Sequence, residues 1–501
     1  MSEAAPNVIR TAGVMHSAMW NVIGRLAPVA VTLLVIPSLI ALLGTARWGI
    51  MTIALTLVGS FGIFDLGLGR ALTRAIAEDI AHGREHESAD LALTGMLTLG
   101  GLGVLAAFVS AGLTGLYVDH GLRISSGLRI ETRDAIWILC ATAPLVLVNA
   151  ALWGVISAFH QFRAANLINI PINIFYYVGP LLALHLWNSL CAVMLALAAC
   201  RFAMTIGYTV IALRVMPSLR RARAHFSLLA PLWKIGGWMT ASNITYPILS
   251  YCDRFLIGAM VPAAAIAYYT TPLDVIGRFS IVTLAITGSA FPSFARSFRV
   301  DEANTRDIFT HSALTIAGIL FPVCFATAML SKPLLTLWLG AGFAAHGAMI
   351  ASLLCCGVLL SGLDSLAAGL LDAIGRPDLN AKFSMVELIL YLPLLALQLH
   401  LFGLVGAATA WVLRCTLDCV LRMEIAGHCY TPVAPAVRRL RRLVFLVLVF
   451  FGAVFIPRGI VAGFGLAATG ICLFALIFWG MILDSKDRTQ LVSRVGIFLR
   501  R

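Results

Sequence analysis

The chain of 501 residues is 60% hydrophobic and only 12% charged, with a mean hydropathy of +0.93, whereas soluble domains carry about 25% charged residues. A soluble multidomain protein is therefore excluded, and the length is better counted in membrane spans. The net charge of +13 does not indicate nucleic-acid binding, because the basic residues cluster in short loops between apolar runs, as the positive-inside rule describes.

Apolar runs of about 20 residues, the length that crosses a bilayer, predict about fourteen transmembrane helices. The runs are continuous rather than alternating, which excludes a β-barrel. The predicted fold class is therefore an all-α polytopic membrane protein. The predicted spans are residues 17–42, 46–69, 91–117, 135–159, 167–186, 189–213, 235–259, 264–292, 311–331, 347–373, 381–401, 404–426, 443–460 and 462–483.

The distribution of Lys and Arg predicts the orientation of these spans. A cytoplasmic N-terminus places about 24 of them on the cytoplasmic side and about 6 outside, and the opposite orientation inverts this ratio. One outer loop disagrees, since it contains Arg123, Arg129 and Arg133. No cleaved signal is expected, and we predict that both termini are cytoplasmic. The basic loops are Arg70–Arg84, Arg214–Lys234, Arg296–Arg306, Arg438–Arg442 and Lys486–Arg501.

The longest basic connector lies near the middle of the chain and separates six spans from six, with two more at the end. Pro28 and Pro247 each lie near the middle of the first helix of a half, and paired halves with interrupted helices are typical of transporters. The predicted domains are an N-terminal six-helix lobe (1–214), a connector (215–234), a C-terminal six-helix lobe (235–427), and two extra helices with a basic tail (428–501).

Several arginines lie inside the apolar spans. A guanidinium at membrane depth costs roughly 2.5–3.5 kcal/mol on insertion scales, so each must face protein or a water-filled cavity. Their repeated use indicates a protein that moves or holds an anion. Arg25 precedes Pro28 by three residues, and it could either attract a phosphate or pair with a carboxylate of another helix. The arginines concerned are Arg25, Arg201, Arg254, Arg278 and Arg414.

Two acid–base pairs stand out in the second half. Asp274 and Arg278 lie one turn apart on the eighth span, after Pro272, and this spacing favours an internal ion pair. The same position would also suit an anion or proton relay. Asp253 and Arg254 are adjacent and point about 100° apart on a helix. At least one of them must therefore find its partner on another element.

The twelfth span carries a ladder at i, i+4 and i+8 formed by Arg414, Asp418 and Arg422, which we interpret as self-neutralising structure. Arg201, on the sixth span, lacks a local acid. It could face a lumen or reach a carboxylate of another span. The candidate carboxylates are Asp364 and Glu387.

Asp65, Arg70 and Arg74 close the second span near the predicted cytoplasmic side. They could form a gate or anchoring salt bridge with snorkelling arginines, or a doorway for a charged head group. The chain offers no His, Cys and acid set at metal-ligand spacing, so we expect no metal, no cofactor and no catalytic residues. Asp119 with His120 is the single candidate for an enzyme, in a short outer loop.

Four runs of sequence resemble a known family. They are Leu42–Ile50, Phe64–Glu78, Asp253–Gly258 and Ala267–Pro272. These runs are similar to the polysaccharide (O-antigen type) flippases of the multidrug/oligosaccharidyl-lipid/polysaccharide exporter superfamily. The resemblance implies two six-helix lobes in a V that opens alternately to each side, and it implies translocation of an undecaprenyl-diphosphate-linked oligosaccharide.

The resemblance also implies site residues. Relatives that flip the peptidoglycan precursor place arginines of the first and eighth helices in a cationic cavity, and Arg25 and Arg278 match by position. We predict a cationic substrate cavity and a set of gate or relay residues. The cavity residues would be Arg25, Arg278, Arg254 and Arg201. The gate or relay residues would be Asp65, Arg70, Arg74, Asp253 and Asp274.

The predicted function is therefore a flippase of the bacterial inner membrane that acts in surface polysaccharide synthesis. Its partners would be the lipid-linked glycan and membrane lipids, and a polysaccharide polymerase and glycosyltransferases are further candidates. The alternatives are a drug/cation antiporter of the same superfamily and a flippase for the lipid-linked peptidoglycan precursor. The antiporter chemistry favours an acid in the first helix, where this chain has only Arg25.

Overall fold

The computed structural model describes residues 11–82, 84–229, 237–456 and 459–484. The side chains of residues 11–29, 70, 81, 85, 86, 228, 229, 237–243 and 246 are not among those described. Within these ranges the backbone is helical apart from short turns and contains no β-strand. The predicted class, an all-α polytopic membrane protein, is confirmed.

The chain divides into two compact units, Met1–Gly237 and Trp238–Arg501. In the first unit, short 3-10 turns and loops connect long helices. The α-helices of this unit are α1 (Thr11–Ser60), α2 (Leu68–Ala81), α3 (Glu85–Leu116), α4 (Ser126–Cys140), α5 (Ala143–Ala158), α6 (Phe162–Leu186) and α7 (Leu190–Val215).

The second unit repeats this construction and adds two helices at its end. Its α-helices are α8 (Gly237–Met260), α9 (Ala263–Ile276), α10 (Ser280–Ser297), α11 (Glu302–Met329), α12 (Ser331–Leu339), α13 (Ala341–Ala373), α14 (Pro377–Cys429), α15 (Ala434–Phe451) and α16 (Ile460–Ile477).

Ten helical stretches within the described residues are long and apolar enough to cross a bilayer. Two of these stretches each contain two predicted spans. In both, the backbone departs from helical geometry at a glycine between the two spans. Gly44 in α1 has φ of 75° and Gly403 in α14 has φ of 59°, a region that residues with a Cβ rarely adopt. These breaks fall where the sequence predicts turns, between residues 42 and 46 and between residues 401 and 404.

The second predicted span is shorter than expected. The helix ends at Ser60, and a 3-10 turn follows over Phe61–Asp65. Leu66 and Gly67 then adopt left-handed backbone conformations with φ of 50° and 80°, and α2 starts at Leu68. The expectation of one helix through residue 69 was wrong because these left-handed angles break the helix at the Leu-Gly pair.

The predicted basic loop Arg438–Arg442 was also placed incorrectly, since these residues belong to α15. Arginine is a good helix former, and the long side chains reach polar partners at the end of the unit. Arg439 binds Asp484 at 3.0 Å, and Arg441 lies 3.4 Å from Glu424. The helix therefore begins before its apolar segment.

Two connections differ from their predicted form. The outer loop that contains Arg129 and Arg133 is helical from Ser126 onward and belongs to α4. The basic stretch Ser218–Leu232, which contains Phe226 and Leu228, predicts a helix that lies on anionic lipid. Its described part instead forms two short 3-10 turns, Pro217–Arg221 and Phe226–Leu229. Residues 230–232 lie outside the described residues.

Hydrogen bonds link separate helices and loops at each of the two ends of the first unit. At one end, Glu131 binds Arg47 at 2.9 Å and accepts the Leu190 N–H at 2.7 Å. At the other end, the connector binds the start of α3. The Arg223 N–H donates to Asp90 at 2.6 Å, and the His225 N–H donates to Thr94. The connector end is the one that the charge distribution assigns to the cytoplasm.

Aromatic rings hold the final two helices of the second unit against α11. Phe321 on α11 stacks on Phe474 of α16 with ring centroids 3.5 Å apart. Phe450 of α15 meets Phe321 edge to face at 5.6 Å. Lipid supplies no hydrophobic drive between helices, so close packing of this kind contributes much of their association.

A close helix crossing in the first unit allows a stability test. A Cβ at Gly103 of α3 would lie 2.5 Å from the Cα of Pro144 in α5, a backbone atom that cannot move without shifting its helix. We expect Gly103→Ala to lower the free energy of unfolding by about 1–3 kcal/mol. The measurement is thermal unfolding of the detergent-solubilised protein.

Gly101→Ala is the matched control, because it lies in the same helix and has nothing within 4 Å of its added Cβ. We expect it to change the free energy of unfolding by less than about 0.5 kcal/mol. Equal unfolding midpoints for the two variants would contradict the crossing.

Candidate functional site

A cavity of about 430 Å³ lies inside the second unit, within the range typical of small-ligand pockets. Helices α8, α9, α13 and α14, together with the 3-10 turn that follows α9, supply its walls. Its lining combines five carboxylates with four guanidinium groups. The charged residues are Asp253, Arg254, Asp274, Arg278, Asp364, Glu387, Arg414, Asp418 and Arg422.

Helix spacing places several of these groups on shared faces. Arg414, Asp418 and Arg422 follow one another by one turn each on the second part of α14, so they form a single stripe. Pro272 interrupts the hydrogen bonding of α9, and the chain tightens into a 3-10 turn over Gly277–Phe279. Arg278 lies on that turn and lines the cavity.

Glu387 is the centre of the ion-pair network on α14. Its side chain is only 6% exposed, and it accepts a hydrogen bond from Arg414 at 2.5 Å. Arg422 lies 3.7 Å from the same carboxylate and 3.2 Å from Asp364 of α13. Arg414 also lies 3.6 Å from Asp418.

These arginines have further partners. The Arg414 guanidinium donates to the Leu249 carbonyl of α8 at 3.1 Å and lies over the Tyr391 ring at 4.9 Å. Arg422 lies over the Phe383 ring at 4.6 Å. Buried charges in membranes persist when they are paired or hydrogen-bonded in this way. The predicted self-neutralising ladder is thus part of a network that joins three helices.

The neighbouring residues Asp253 and Arg254 find different partners. The Tyr269 hydroxyl donates to Asp253 at 2.8 Å, and Arg254 donates to Asp274 of α9 at 2.6 Å. The prediction that at least one of the pair must seek a partner on another element is confirmed. Asp274 therefore has a partner on another helix, Arg254.

The lining of this cavity is mixed in charge rather than cationic. Intramembrane arginines were the signal for a site in the sequence, where Asp364 and Glu387 were candidates only as partners of Arg201. Each of these acids instead contacts an arginine of its own unit, Arg422 or Arg414. The free energy of inserting an aspartate into an apolar span is similar to that of an arginine. A search of the apolar spans for acidic as well as basic residues would therefore have found Asp364 and Glu387.

Arg201 lies in the first unit, on α7. Its guanidinium donates to the Tyr176 hydroxyl of α6 at 3.3 Å and lies 5.8 Å from the centre of that ring. It is not among the described residues that line the charged cavity of the second unit. Arg25 lies on α1, and its side chain is outside the described residues.

The predicted gate residues lie where α2 begins. Asp65 accepts the Gly69 N–H at 2.8 Å, which satisfies one of the donors left open at the start of a helix. Arg74 binds Glu78 at 2.7 Å on an exposed face, and this hydrogen bond raises the pKa of Arg74. The side chain of Arg70 is outside the described residues.

Comparison with known proteins places these features in a family. A family model described as "Polysaccharide biosynthesis protein" matches residues 14–298, more than half of the chain. The chain belongs to this family. The chain is 29% identical to a putative O-antigen transporter of Shigella flexneri, over 81% of this chain and 96% of the relative. It is 22% identical to a probable flippase, AglR, of Haloferax volcanii, over 76% and 77% of the two chains.

Solved structures share the fold of this family member. An inward-facing multidrug resistance MATE transporter of the MOP superfamily matches with a TM-score of 0.67 and 13% identity, over 82% of this chain and 99% of that chain. The lipid II flippase MurJ, in an inward closed conformation, matches with a TM-score of 0.66 and 11% identity, over 92% and 98%. The fold is therefore that of MATE and MurJ transporters.

Proposed function

We propose that this protein translocates an undecaprenyl-diphosphate-linked oligosaccharide across the bacterial inner membrane for surface polysaccharide synthesis. The observation that supports this most is its similarity to the putative O-antigen transporter, which it matches over 96% of that relative's length. The shared fold with a lipid II flippase agrees with a lipid-linked substrate. We further propose that both termini are cytoplasmic, because that orientation follows the Lys and Arg distribution.

In this proposal the guanidinium groups bind the diphosphate while the prenyl tail stays in lipid. Arg278, Arg254, Arg201 and Arg25 are the proposed ligands. A phosphate accepts the same bidentate hydrogen bonds from arginine as a carboxylate does. A diphosphate can therefore replace Asp274 as the partner of Arg254, and this exchange avoids leaving a buried guanidinium unpaired.

A carboxylate that loses its arginine to the diphosphate would be suited to a role in a gate or a proton relay. Asp274 and Asp253 are the proposed members within the second unit, and Asp65, Arg70 and Arg74 are the proposed members at the cytoplasmic end of the first. Translocation requires that the head group bind the inward and outward states with different affinity. A change of arginine partner from carboxylate to phosphate supplies such a difference.

The test is a deletion of the gene in its host, followed by complementation. We expect the wild-type chain to restore surface polysaccharide, and Arg25→Ala, Arg278→Ala and the double variant to reduce it at least tenfold, which corresponds to about 1.4 kcal/mol. Antibody labelling of whole cells measures the polysaccharide, and membrane fractions show whether each variant inserts.

Arg299→Ala is the control, because this exposed arginine lies in a loop over the Phe298 ring, and we expect it to complement fully. Unchanged export in both single variants and the double variant would contradict the proposed arginine site. Normal polysaccharide in the deletion strain, together with increased drug sensitivity, would favour the drug/cation antiporter instead.

A further inference from the structure

A second cavity, of about 610 Å³, lies in the first unit. It is formed by the 3-10 turn before α2, by α2 itself and by the end of α5. We call it the Trp153 pocket. The lining residues that matter here are Asp65, Thr73, Arg74, Trp153, Ser157 and His160.

The Trp153 indole forms a fixed wall of this pocket. It is 38% exposed, although neighbouring rings hold it in place. Phe162 lies 6.3 Å and Tyr208 lies 5.9 Å from its ring centre. Tyr208 is in turn fixed by the hydrogen bond from its hydroxyl to Asn169 at 2.7 Å. A large aromatic surface that is already ordered loses little entropy when it binds a ligand.

Polar groups with hydrogen-bonding capacity surround this wall. The Ser157 hydroxyl is buried and has no partner among the described residues. A buried polar group without a partner costs about 1–3 kcal/mol, and such a group calls for an explanation. The Thr73 hydroxyl donates to the Gly69 carbonyl, so its oxygen lone pairs can still accept a hydrogen bond.

Close contact between α2 and α5 forms the base of the Trp153 pocket. A Cβ at Gly154 of α5 would lie 3.0 Å from the Thr73 hydroxyl of α2. A Cβ at Gly69 would lie 3.2 Å from the Asp65 carboxylate and 3.4 Å from the Ala150 Cβ of α5. These glycines let the two helices approach, and they bring the polar groups of α2 to the same side as Trp153.

We propose that the Trp153 pocket binds one pyranose ring of the glycan. The C–H face of a pyranose is apolar and packs on an indole, while its hydroxyls need hydrogen-bond partners. Ser157, Thr73 and Asp65 supply such partners beside the ring, and Arg74 lies near the attached phosphate in this arrangement. A mainly apolar pocket with a few convergent polar groups is the usual form of a small-molecule site.

The location of the Trp153 pocket indicates what a bound sugar would do there, and this role rests on the proposed function. The end of α5 lies beside the start of α3, where Asp90 and Thr94 bind the connector. This is the end that the charge distribution assigns to the cytoplasm. The Trp153 pocket would therefore hold a sugar when the head group enters, and would contribute to the choice of glycan.

Fluorine NMR of the detergent-solubilised full chain tests the pocket directly. The chain contains ten tryptophans, and fluorotryptophan labelling gives each its own signal. Trp153→Phe identifies the signal of Trp153 by its loss. The probes are the methyl glycosides of glucose, galactose and N-acetylglucosamine, with sorbitol as the acyclic control. We expect the Trp153 signal to shift saturably with at least one glycoside at millimolar concentration, and not with sorbitol.

Trp137 supplies the matched control, because it is 44% exposed and its indole N–H already donates to the Ala111 carbonyl at 3.1 Å. Its signal should not move. We expect Ser157→Ala to weaken glycoside binding about fivefold or more while the Trp153 signal keeps its starting position. An unchanged affinity in Ser157→Ala would overturn the assignment of the hydroxyl.

Two results would overturn the pocket itself. One is a Trp153 signal that responds to none of the glycosides. The other is a signal that responds to short-chain phosphatidylglycerol and not to glycosides, because the pocket would then hold an acyl chain. Both results leave the flippase proposal intact, since this measurement requires no transport. Loss of the proposed function would instead appear in the polysaccharide assay.

Discussion

Replacing Glu387 with glutamine is expected to lower the free energy of unfolding by about 3–5 kcal/mol, the usual cost of breaking a buried ion pair. The Glu387 carboxylate lies 2.5 Å from Arg414 and 3.7 Å from Arg422. Without it, two buried guanidinium groups lose their shared partner. Thermal unfolding of the detergent-solubilised Glu387→Gln variant measures the effect.

Glu424→Gln is the control on the same helix. Glu424 pairs with Arg441 at 3.4 Å on an exposed surface, and such pairs contribute about 0–1 kcal/mol. We expect its unfolding midpoint to stay close to that of the wild type. A similar loss in both variants would show that the stability of α14 does not depend on the buried network.

The double variant Glu387→Leu/Arg414→Leu provides a further check. Replacing both partners of a buried pair with apolar residues is often neutral or stabilising. Arg422 keeps Asp364 as a partner at 3.2 Å in this variant, and Asp418 loses its contact with Arg414. We expect this double variant to be more stable than Glu387→Gln. The opposite order would mean that the network holds the helices mainly through its hydrogen-bond geometry.

The second large effect concerns export rather than stability. Arg254 binds Asp274 at 2.6 Å across two helices beside the cavity. We expect Arg254→Gln to reduce surface polysaccharide at least tenfold, because the diphosphate would lose a guanidinium ligand. Antibody labelling of complemented cells measures the export, and thermal unfolding of the purified variant reports its stability.

Exchange of the two charges distinguishes a role of Arg254 in substrate binding from a role in joining α8 to α9. The variant Arg254→Asp/Asp274→Arg restores an ion pair between α8 and α9, so we expect its stability to recover relative to Arg254→Gln. Export should remain low, because the guanidinium then lies on the other helix. If the exchanged pair restored export fully, Arg254 would serve only to join the two helices.

The spans show which helix boundaries can be predicted from sequence patterns and which cannot. Turns between residues 42 and 46 and between residues 401 and 404 were predicted from the length of the apolar runs, and the helix breaks at Gly44 and Gly403 lie at these positions. The end of the second span was missed, because the apolar run continues past Asp65 through Gly69 and the next charged residue is Arg70. The start of α15 was missed for the opposite reason, because its arginines resemble a loop when only hydropathy is considered.

The site residues divide in the same way. The stripe formed by Arg414, Asp418 and Arg422 followed directly from their spacing on one helix. The pairing of Arg254 with Asp274 joins residues 20 positions apart, and helix periodicity carries no information about such a contact. Trp153 was not singled out at all, because a lone tryptophan near a span end is typical of an interfacial anchor.

The sequence by itself determined that the chain crosses a membrane many times, and it predicted a basic connector between two halves and several charges at membrane depth. Those properties depend on transfer energies of individual segments, which composition and order specify. Only the tertiary structure decided which charge meets which. Pairing across helices depends on how each helix is rotated and where it crosses its neighbours, and those angles result from many small packing contacts that act together.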